Sequence, residues 1–297
     1  TQLAWFDRSG KILGNVGGND RYAMISLSPD ARTVAVSYSF ATPSNLWTFD
    51  LTRGVKTRIT FGNTFDLGPL WSADGHKLAY TAIEQGKKFK MRILDRATGA
   101  EEEILSGDAL GNSLITSWSR DGQTIFYTTA GSVQTRADIF WMSLADRKPH
   151  VYLNTPFIET TPRLSPDGKW VAYQSSESGG NEIYMAPFPP TGAKWQISTG
   201  NAVAPRWRSD GKELFFVTAS GTSMMAVPIK LGTTPEIGQA VKLFQFHLGD
   251  ANPNMYDVTA DGQRFLINTR IGEEPPPQPL VLVQHFDNEL RTALEKH

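Results

Sequence analysis

One stretch decides the fold of this chain: Leu-Ser-Pro-Asp-Gly-Lys-Trp-Val-Ala-Tyr, residues 164–173. In such a stretch serine opens a turn, proline fits the second position, aspartate bonds to nearby backbone, and glycine accepts a positive φ. The apolar run that follows is continuous rather than alternating, which is typical of a strand covered on both faces. The stretch therefore predicts a tight hairpin that contains a buried strand.

The same turn recurs six times along the chain. The copies are Ser28-Pro29-Asp30-Ala31, Ser72-Ala73-Asp74-Gly75, Ser119-Arg120-Asp121-Gly122, Ser165-Pro166-Asp167-Gly168, Arg208-Ser209-Asp210-Gly211 and Thr259-Ala260-Asp261-Gly262. Their aspartates lie 44, 47, 46, 43 and 51 positions apart, and a period of about 45 suits a four-stranded blade. We predict an all-β chain, a six-bladed β-propeller of four-stranded antiparallel blades. Ala31 stands where the other copies have glycine, so its turn is either strained or of another type.

The repeat also sets the expected domain boundaries. Residues 1–297 are predicted to form a single β-propeller domain, with blades beginning near residues 21, 65, 112, 158, 201 and 252. Residues 3–13 read as a third strand, a turn and a fourth strand, so the N-terminal segment is expected to complete the last blade and close the ring. Residues 280–283 also read as a third strand and compete for that place, which leaves a partial seventh blade as an alternative.

Composition excludes several classes of function. Lys and Arg total 29 against 30 for Asp and Glu, a net charge of -1, which gives no basis for binding nucleic acid. No apolar run approaches the roughly 18 residues of a membrane-spanning helix, so we expect no membrane insertion in this segment. Cysteine is absent and the five histidines are scattered, so we expect no metal site and no cofactor.

Four stretches, residues 5–11, 164–175, 194–200 and 256–266, resemble the WD40-like repeats of the TolB-like β-propeller superfamily. They are most similar to the C-terminal propellers of bacterial membrane-anchored Ser/Thr kinases and winged-helix regulators, and the resemblance covers essentially the whole chain. It implies a non-catalytic sensor or scaffold domain that is extracytoplasmic, in the bacterial periplasm or at the cell surface. It also implies a small polar ligand (a sugar or a peptide) or a protein partner, and a kinase or regulatory domain would lie outside this chain.

Position within the repeat indicates where a ligand would bind. The residues eight or nine places before each turn aspartate lie where the innermost strand begins, and in a propeller these segments converge on one mouth of the central channel. The candidate ligand-binding residues are Arg21, Tyr22, Asp66, Asn112, Glu159, Asn201 and Asn252, together with Arg136 from a loop that opens on the same face. A ring of amides and carboxylates suits a sugar or a peptide; the alternative is that these loops are polar only because they face water.

A second hypothesis is a glycoside-acting hydrolase or lyase, and whether the chain is an enzyme stays open. Its catalytic candidates are Asp66, Glu159, Glu177 and Glu182. Such enzymes hold two carboxyl groups about 5 Å or about 6.5–9.5 Å apart. Asp66 and Glu159 lie on blades two apart, on the order of 15 Å, whereas Glu177 and Glu182 share the blade of Glu159. A third hypothesis is a protein-interaction platform that uses the outer rim.

Overall fold

The computed structural model describes residues 1–38, 44–84, 88–107, 113–130, 136–220, 222–247 and 255–270. Within these ranges the chain forms β-strands and turns. None of the residues in these ranges belongs to a helix long and apolar enough to cross a membrane.

The strands follow one another in short hairpins. In chain order they are β1 (Gln2–Asp7), β2 (Ile12–Val16), β3 (Tyr22–Leu27), β4 (Thr33–Tyr38), β5 (Trp47–Asp50), β6 (Lys56–Arg58), β7 (Phe65–Trp71), β8 (Lys77–Glu84), β9 (Lys88–Asp95), β10 (Glu101–Ser106), β11 (Leu114–Trp118), β12 (Thr124–Ala130), β13 (Ala137–Ser143), β14 (Pro149–Leu153), β15 (Glu159–Leu164), β16 (Trp170–Ser175), β17 (Glu182–Pro187), β18 (Trp195–Gln196), β19 (Ala202–Trp207), β20 (Glu213–Thr218), β21 (Ser223–Lys230), β22 (Glu236–Ile237), β23 (Val241–Gln245), β24 (Tyr256–Val258) and β25 (Arg264–Thr269).

These strands form six antiparallel sheets, which are the six blades predicted from the repeat. From the channel outward, blade 1 is β3-β4-β5-β6, blade 2 is β7-β8-β9-β10, blade 3 is β11-β12-β13-β14 and blade 4 is β15-β16-β17-β18. Blade 5 is β19-β20-β21, and its fourth place is shared by β22 and β23, which pair with successive parts of β21. Blade 6 is β24-β25-β1-β2.

The N-terminal segment closes the ring, as predicted. Leu3 of β1 lies opposite Asn268 of β25, and β2 pairs with the other side of β1, so residues 2–16 supply the two outer strands of blade 6. Residues 280–283, which compete for this place in the sequence, lie outside the described residues. The assignment of all of residues 1–297 to one domain stays a prediction.

The second strand of each blade is apolar on both faces because blades cover it from both sides. On β8, Leu78 and Tyr80 belong to a buried cluster shared with blade 1, whereas Ala79 belongs to a cluster shared with blade 3. Six such clusters lie between the six pairs of neighbouring blades, including the pair formed by blades 6 and 1. The core is therefore a closed ring of interfaces between sheets.

The six turns have one geometry. In five of the six turns the Ser or Thr hydroxyl donates to the turn aspartate. In the remaining turn, that of blade 5, the Arg208 guanidinium donates to Asp210 instead. Ala31 has φ 56°, in the same left-handed region as Gly75 at 73°, and each N–H donates to the carbonyl of the first turn residue. The first turn is therefore the strained alternative of the two that the sequence left open.

Candidate functional site

The inner strands β3, β7, β11, β15, β19 and β24 begin at one end of the channel, the mouth face, and end at the six turns, the turn face. Arg21 and Arg136 are exposed at the mouth face, and Arg136 has φ 61°. Tyr22 is buried and donates its hydroxyl proton to the Gly18 carbonyl at 2.8 Å, and burial raises the pKa of Tyr22 to about 12. Asn112 and Asn252 lie outside the described residues.

Asp66 is buried at the start of β7 and binds its own loop. Its carboxylate accepts hydrogen bonds from the hydroxyls of Thr60 at 2.5 Å and Thr64 at 2.8 Å. Thr60 in turn accepts a hydrogen bond from the Leu46 N–H at 2.9 Å. Burial raises the pKa of Asp66 despite these two bonds. Asp66 therefore fastens the connection between blades 1 and 2.

Glu159 is buried at the start of β15, and two other carboxylates, Asp138 and Glu177, act on it electrostatically. It accepts a hydrogen bond from the Thr155 hydroxyl, and its Oε2 has no hydrogen-bond partner among the described residues. Burial raises the pKa of Glu159, and the charges of Asp138 and Glu177 act in the same direction. Glu177 is half-buried and forms an ion pair with Lys194. The structure thus brings Glu177 within electrostatic reach of Glu159.

Glu182 and Asn201 fasten the connection between blades 4 and 5. The buried Glu182 carboxylate accepts hydrogen bonds from the Ser198 hydroxyl and from the N–H groups of Gly200 at 2.7 Å and Asn201 at 2.8 Å. Asn201 has φ 67°, and its side-chain oxygen accepts a hydrogen bond from the Asn181 N–H at 3.1 Å. These two predicted site residues fix the loop that leads to β19.

A cleft of about 400 Å³ opens beside this loop, between the outer strand of blade 4 and blade 5. Its polar lining includes the side chains of Gln196, Asn201, Thr218 and Gln239, and Phe216 supplies part of the apolar lining. No charged side chain is among the described residues that line it. The volume and the mixed lining are typical of a site for a small organic ligand.

A second cavity, of about 170 Å³, lies in the channel at the turn face, and sequence reasoning missed it. We refer to it as the channel cavity. Part of its wall is a ring of side chains that occupy the same place on the six inner strands, two residues before each turn. This ring consists of Ser26, Leu70, Ser117, Arg163, Arg206 and Asp257, of which Ser26, Leu70 and the three charged residues line the cavity.

The charged members of the ring come from blades 4, 5 and 6. Arg163 donates to the Thr116 carbonyl of blade 3, and Arg206 donates to the Pro205 carbonyl at 2.9 Å. Asp257 accepts the Leu27 N–H of blade 1 at 2.8 Å. The signal in the sequence is an arginine two residues before the turn, in a strand that the repeat places at the channel axis.

Six four-stranded blades that close into one ring define the class of this protein as a β-propeller. The chain belongs to the TolB β-propeller domain family, since the model of that family matches residues 67–239.

Comparisons with individual proteins agree with this fold. The chain is similar to a TolB-type protein from Agrobacterium tumefaciens, with 16% identity and a TM-score of 0.70 over 90% of this chain and 96% of that one. It is also similar to TolB from Acinetobacter baumannii, with 22% identity and a TM-score of 0.61 over 86% and 65% of the two chains. These likenesses show the fold.

A sequence relative is dipeptidyl-peptidase 5 from Porphyromonas gingivalis, 29% identical over 140 residues. The match covers 41% of this chain and 20% of that peptidase, so it spans about a fifth of the length of the curated relative.

Proposed function

We propose that this propeller is a non-catalytic binding domain whose mouth-face cleft holds a small polar ligand, a sugar or a short peptide. The observation that carries the proposal is the uncharged cleft of about 400 Å³, where amides and hydroxyls stand beside Phe216 and Met225. Amides and hydroxyls exchange hydrogen bonds with sugar hydroxyls or peptide groups, and the apolar wall covers the carbon skeleton.

The predicted carboxylates at the mouth support binding better than catalysis. Asp66 accepts two hydrogen bonds and Glu182 accepts three from neighbouring loops, which leaves them little capacity to exchange protons with a substrate. Glu159 and Glu177 are the pair to be tested for the alternative, a glycoside-acting hydrolase or lyase. Their test is turnover of chromogenic glycosides that the variant Glu159→Gln abolishes.

We also propose a cellular role, which the resemblance to TolB-like propellers supports. In this proposal the propeller is an extracytoplasmic sensor or scaffold, and a kinase or regulatory domain outside residues 1–297 responds when a ligand or partner binds. Binding of a protein segment at the mouth face is part of the same proposal, since a peptide in the cleft is a piece of such a partner.

The experiment is a thermal-shift screen of oligosaccharides and short peptides, followed by calorimetric titration of each ligand found. The variant is Gln196→Ala with Gln239→Ala, two exposed side chains of the cleft. Loss of two hydrogen bonds should weaken binding by about tenfold. The matched control is Gln263→Ala, an exposed glutamine at the turn face. The proposal for the cleft would be refuted if the screen found no ligand, or if a ligand bound the double variant as tightly as the wild type.

A further inference from the structure

Blade 1 surrounds one lysine ammonium group with three aromatic rings. Lys56 begins β6 and lies opposite Phe49 of β5, and Trp47 lies two residues away on the same face of that strand. The Lys56 Nζ is 4.7 Å from the ring centroids of Trp47 and Tyr38. The ring centroid of Phe49 is 5.6 Å from the same atom. We refer to these three rings as the aromatic cage, since all of them lie within the distance of about 6 Å at which a ring attracts a cation.

A carboxylate stands beside the aromatic cage. The Asp20 Oδ2 is 3.4 Å from the Lys56 Nζ, and the Asp20 N–H donates to the Thr1 carbonyl at 3.0 Å. Asp20 is therefore held against the start of the segment that completes blade 6, and the cage lies at the seam between blades 6 and 1. Several aromatic rings around one cation are the arrangement by which proteins recognise quaternary ammonium ligands.

The rings of the cage are fixed in place, whereas the lysine is free to move. Phe49 is 3% exposed, and the ring of Tyr22 packs against those of Tyr38 and Phe49 with centroids 5.6 and 5.9 Å away. The side chain of Lys56 is 36% exposed. Its contact with Asp20 is longer than the about 2.7–2.9 Å of a strong charge-assisted hydrogen bond. Lys56 can therefore turn toward solvent while the cage keeps its shape.

We propose that the aromatic cage binds a small quaternary ammonium compound of the choline type, which takes the place of the Lys56 ammonium group. A lysine ammonium is compact and strongly hydrated, whereas a quaternary ammonium has no N–H groups and loses less hydration when it moves onto the rings. Lys56 is then an internal ligand that an external cation displaces. This site is separate from the cleft between blades 4 and 5 and goes beyond the function proposed for that cleft.

The charge of Asp20 narrows the class of ligand. Choline and tetramethylammonium carry a single positive charge, which the carboxylate attracts. Glycine betaine carries a carboxylate close to its ammonium group, and Asp20 repels that second charge. Methylammonium is a primary ammonium ion like the Lys56 side chain, so it gains nothing by replacing it. We therefore expect choline to bind more tightly than glycine betaine or methylammonium.

The probe is tetramethylammonium chloride, titrated by calorimetry into the full chain, with sodium chloride at equal ionic strength as the reference. The wild type should bind it, and Lys56→Ala should bind it about tenfold more tightly, as expected if Lys56 occupies the cage for about nine-tenths of the time. The matched control is Lys194→Ala, because Lys194 contacts one ring, that of Tyr184 at 5.7 Å, and pairs with the Glu177 carboxylate. A single ring forms no cage, so this control should bind like the wild type.

Two substitutions made in addition to Lys56→Ala test the walls of the cage. Trp47→Leu removes a ring and should weaken binding about tenfold, and Asp20→Asn removes the attracting charge and should weaken it as well. Asp20 has a side chain that is 41% exposed, so its variant keeps the test decisive if Trp47→Leu does not fold.

Three results would overturn the proposal. If the wild type does not bind tetramethylammonium, Lys56 is a permanent part of the wall that covers the apolar rings. If the wild type and Lys56→Ala bind it equally, no displacement takes place. If binding is unchanged by Trp47→Leu or by Asp20→Asn, the cation lies elsewhere on the chain.

Discussion

Replacing Asp66 with alanine should destabilise the propeller by about 2 kcal/mol, because its carboxylate holds the hydroxyls of Thr60 and Thr64. Thr60 is buried, and a buried hydroxyl without its acceptor costs about 1–3 kcal/mol. Thr64 is half-buried and can bond to water instead, so its loss adds about 0.5 kcal/mol. Alanine also removes the unfavourable burial of the carboxylate, which is seen in the raised pKa of Asp66, and this offsets part of the lost stability.

The assay is urea unfolding at neutral pH, followed by tryptophan fluorescence. Asp66→Asn keeps one acceptor oxygen and should lose about half as much stability as Asp66→Ala. The control is Asp146→Ala, an exposed aspartate that accepts a single hydrogen bond from the Lys148 N–H. If Asp66→Ala unfolds at the same urea concentration as Asp146→Ala, the two threonine bonds contribute nothing. Asp66 would then be available to a ligand, as the sequence suggests.

Two further predictions concern ring closure and pH. Arg8 of the N-terminal segment donates to Glu213 of blade 5 at 2.9 Å and to the Gly262 carbonyl of blade 6 at 3.1 Å, so Arg8→Ala should lower stability by about 1 kcal/mol, measured by urea unfolding. Arg53→Ala, which breaks an exposed ion pair within one turn, is its control and should leave stability unchanged. The pKa of Glu159 is raised above its ordinary 4.5 by burial. Protonated Glu159 therefore stabilises the folded state fully at pH values below 4.5, and this contribution disappears as pH rises through the raised pKa. The Tm should therefore fall less steeply between acidic and neutral pH in Glu159→Gln than in the wild type. Parallel plots of Tm against pH would contradict the assignment.

The architecture could be predicted from sequence because each blade contains the same four-residue turn followed by an apolar strand. A turn geometry depends on four neighbouring residues, so it can be identified even where Ala31 replaces glycine, and the structure gives that turn the same hydrogen bond. Ring closure could be predicted for the same reason, since residues 3–13 repeat the outer half of a blade. The division of the fourth strand of blade 5 into β22 and β23 has no counterpart in the other blades, so the repeat gives no signal for it.

The candidate site could be predicted only in part. The repeat predicted that Asp66 lies where an innermost strand begins and that Glu182 lies on the blade of Glu159, but what these carboxylates bind depends on which hydroxyls the loops bring to them. Ser198, which binds Glu182, is 16 positions away in the chain, and no local pattern joins the two. Arg163 and Arg206 were not predicted because the repeat points to the loops at the mouth face, whereas these two residues line the channel near its other end.

Closure by the first strand has a consequence for the order of folding. The Thr269 hydroxyl of β25 donates to the carbonyl of Gln2 on β1, and these residues are 267 positions apart. During synthesis β1 can pair with β2 at once, but its other partner, β25, is made after the first five blades can already stack on one another. Pairing β1 with β25 in an unfolded chain would carry the entropy cost of closing a loop of 267 residues, so we expect blade 6 to form after the first five blades have stacked and brought its two parts close together.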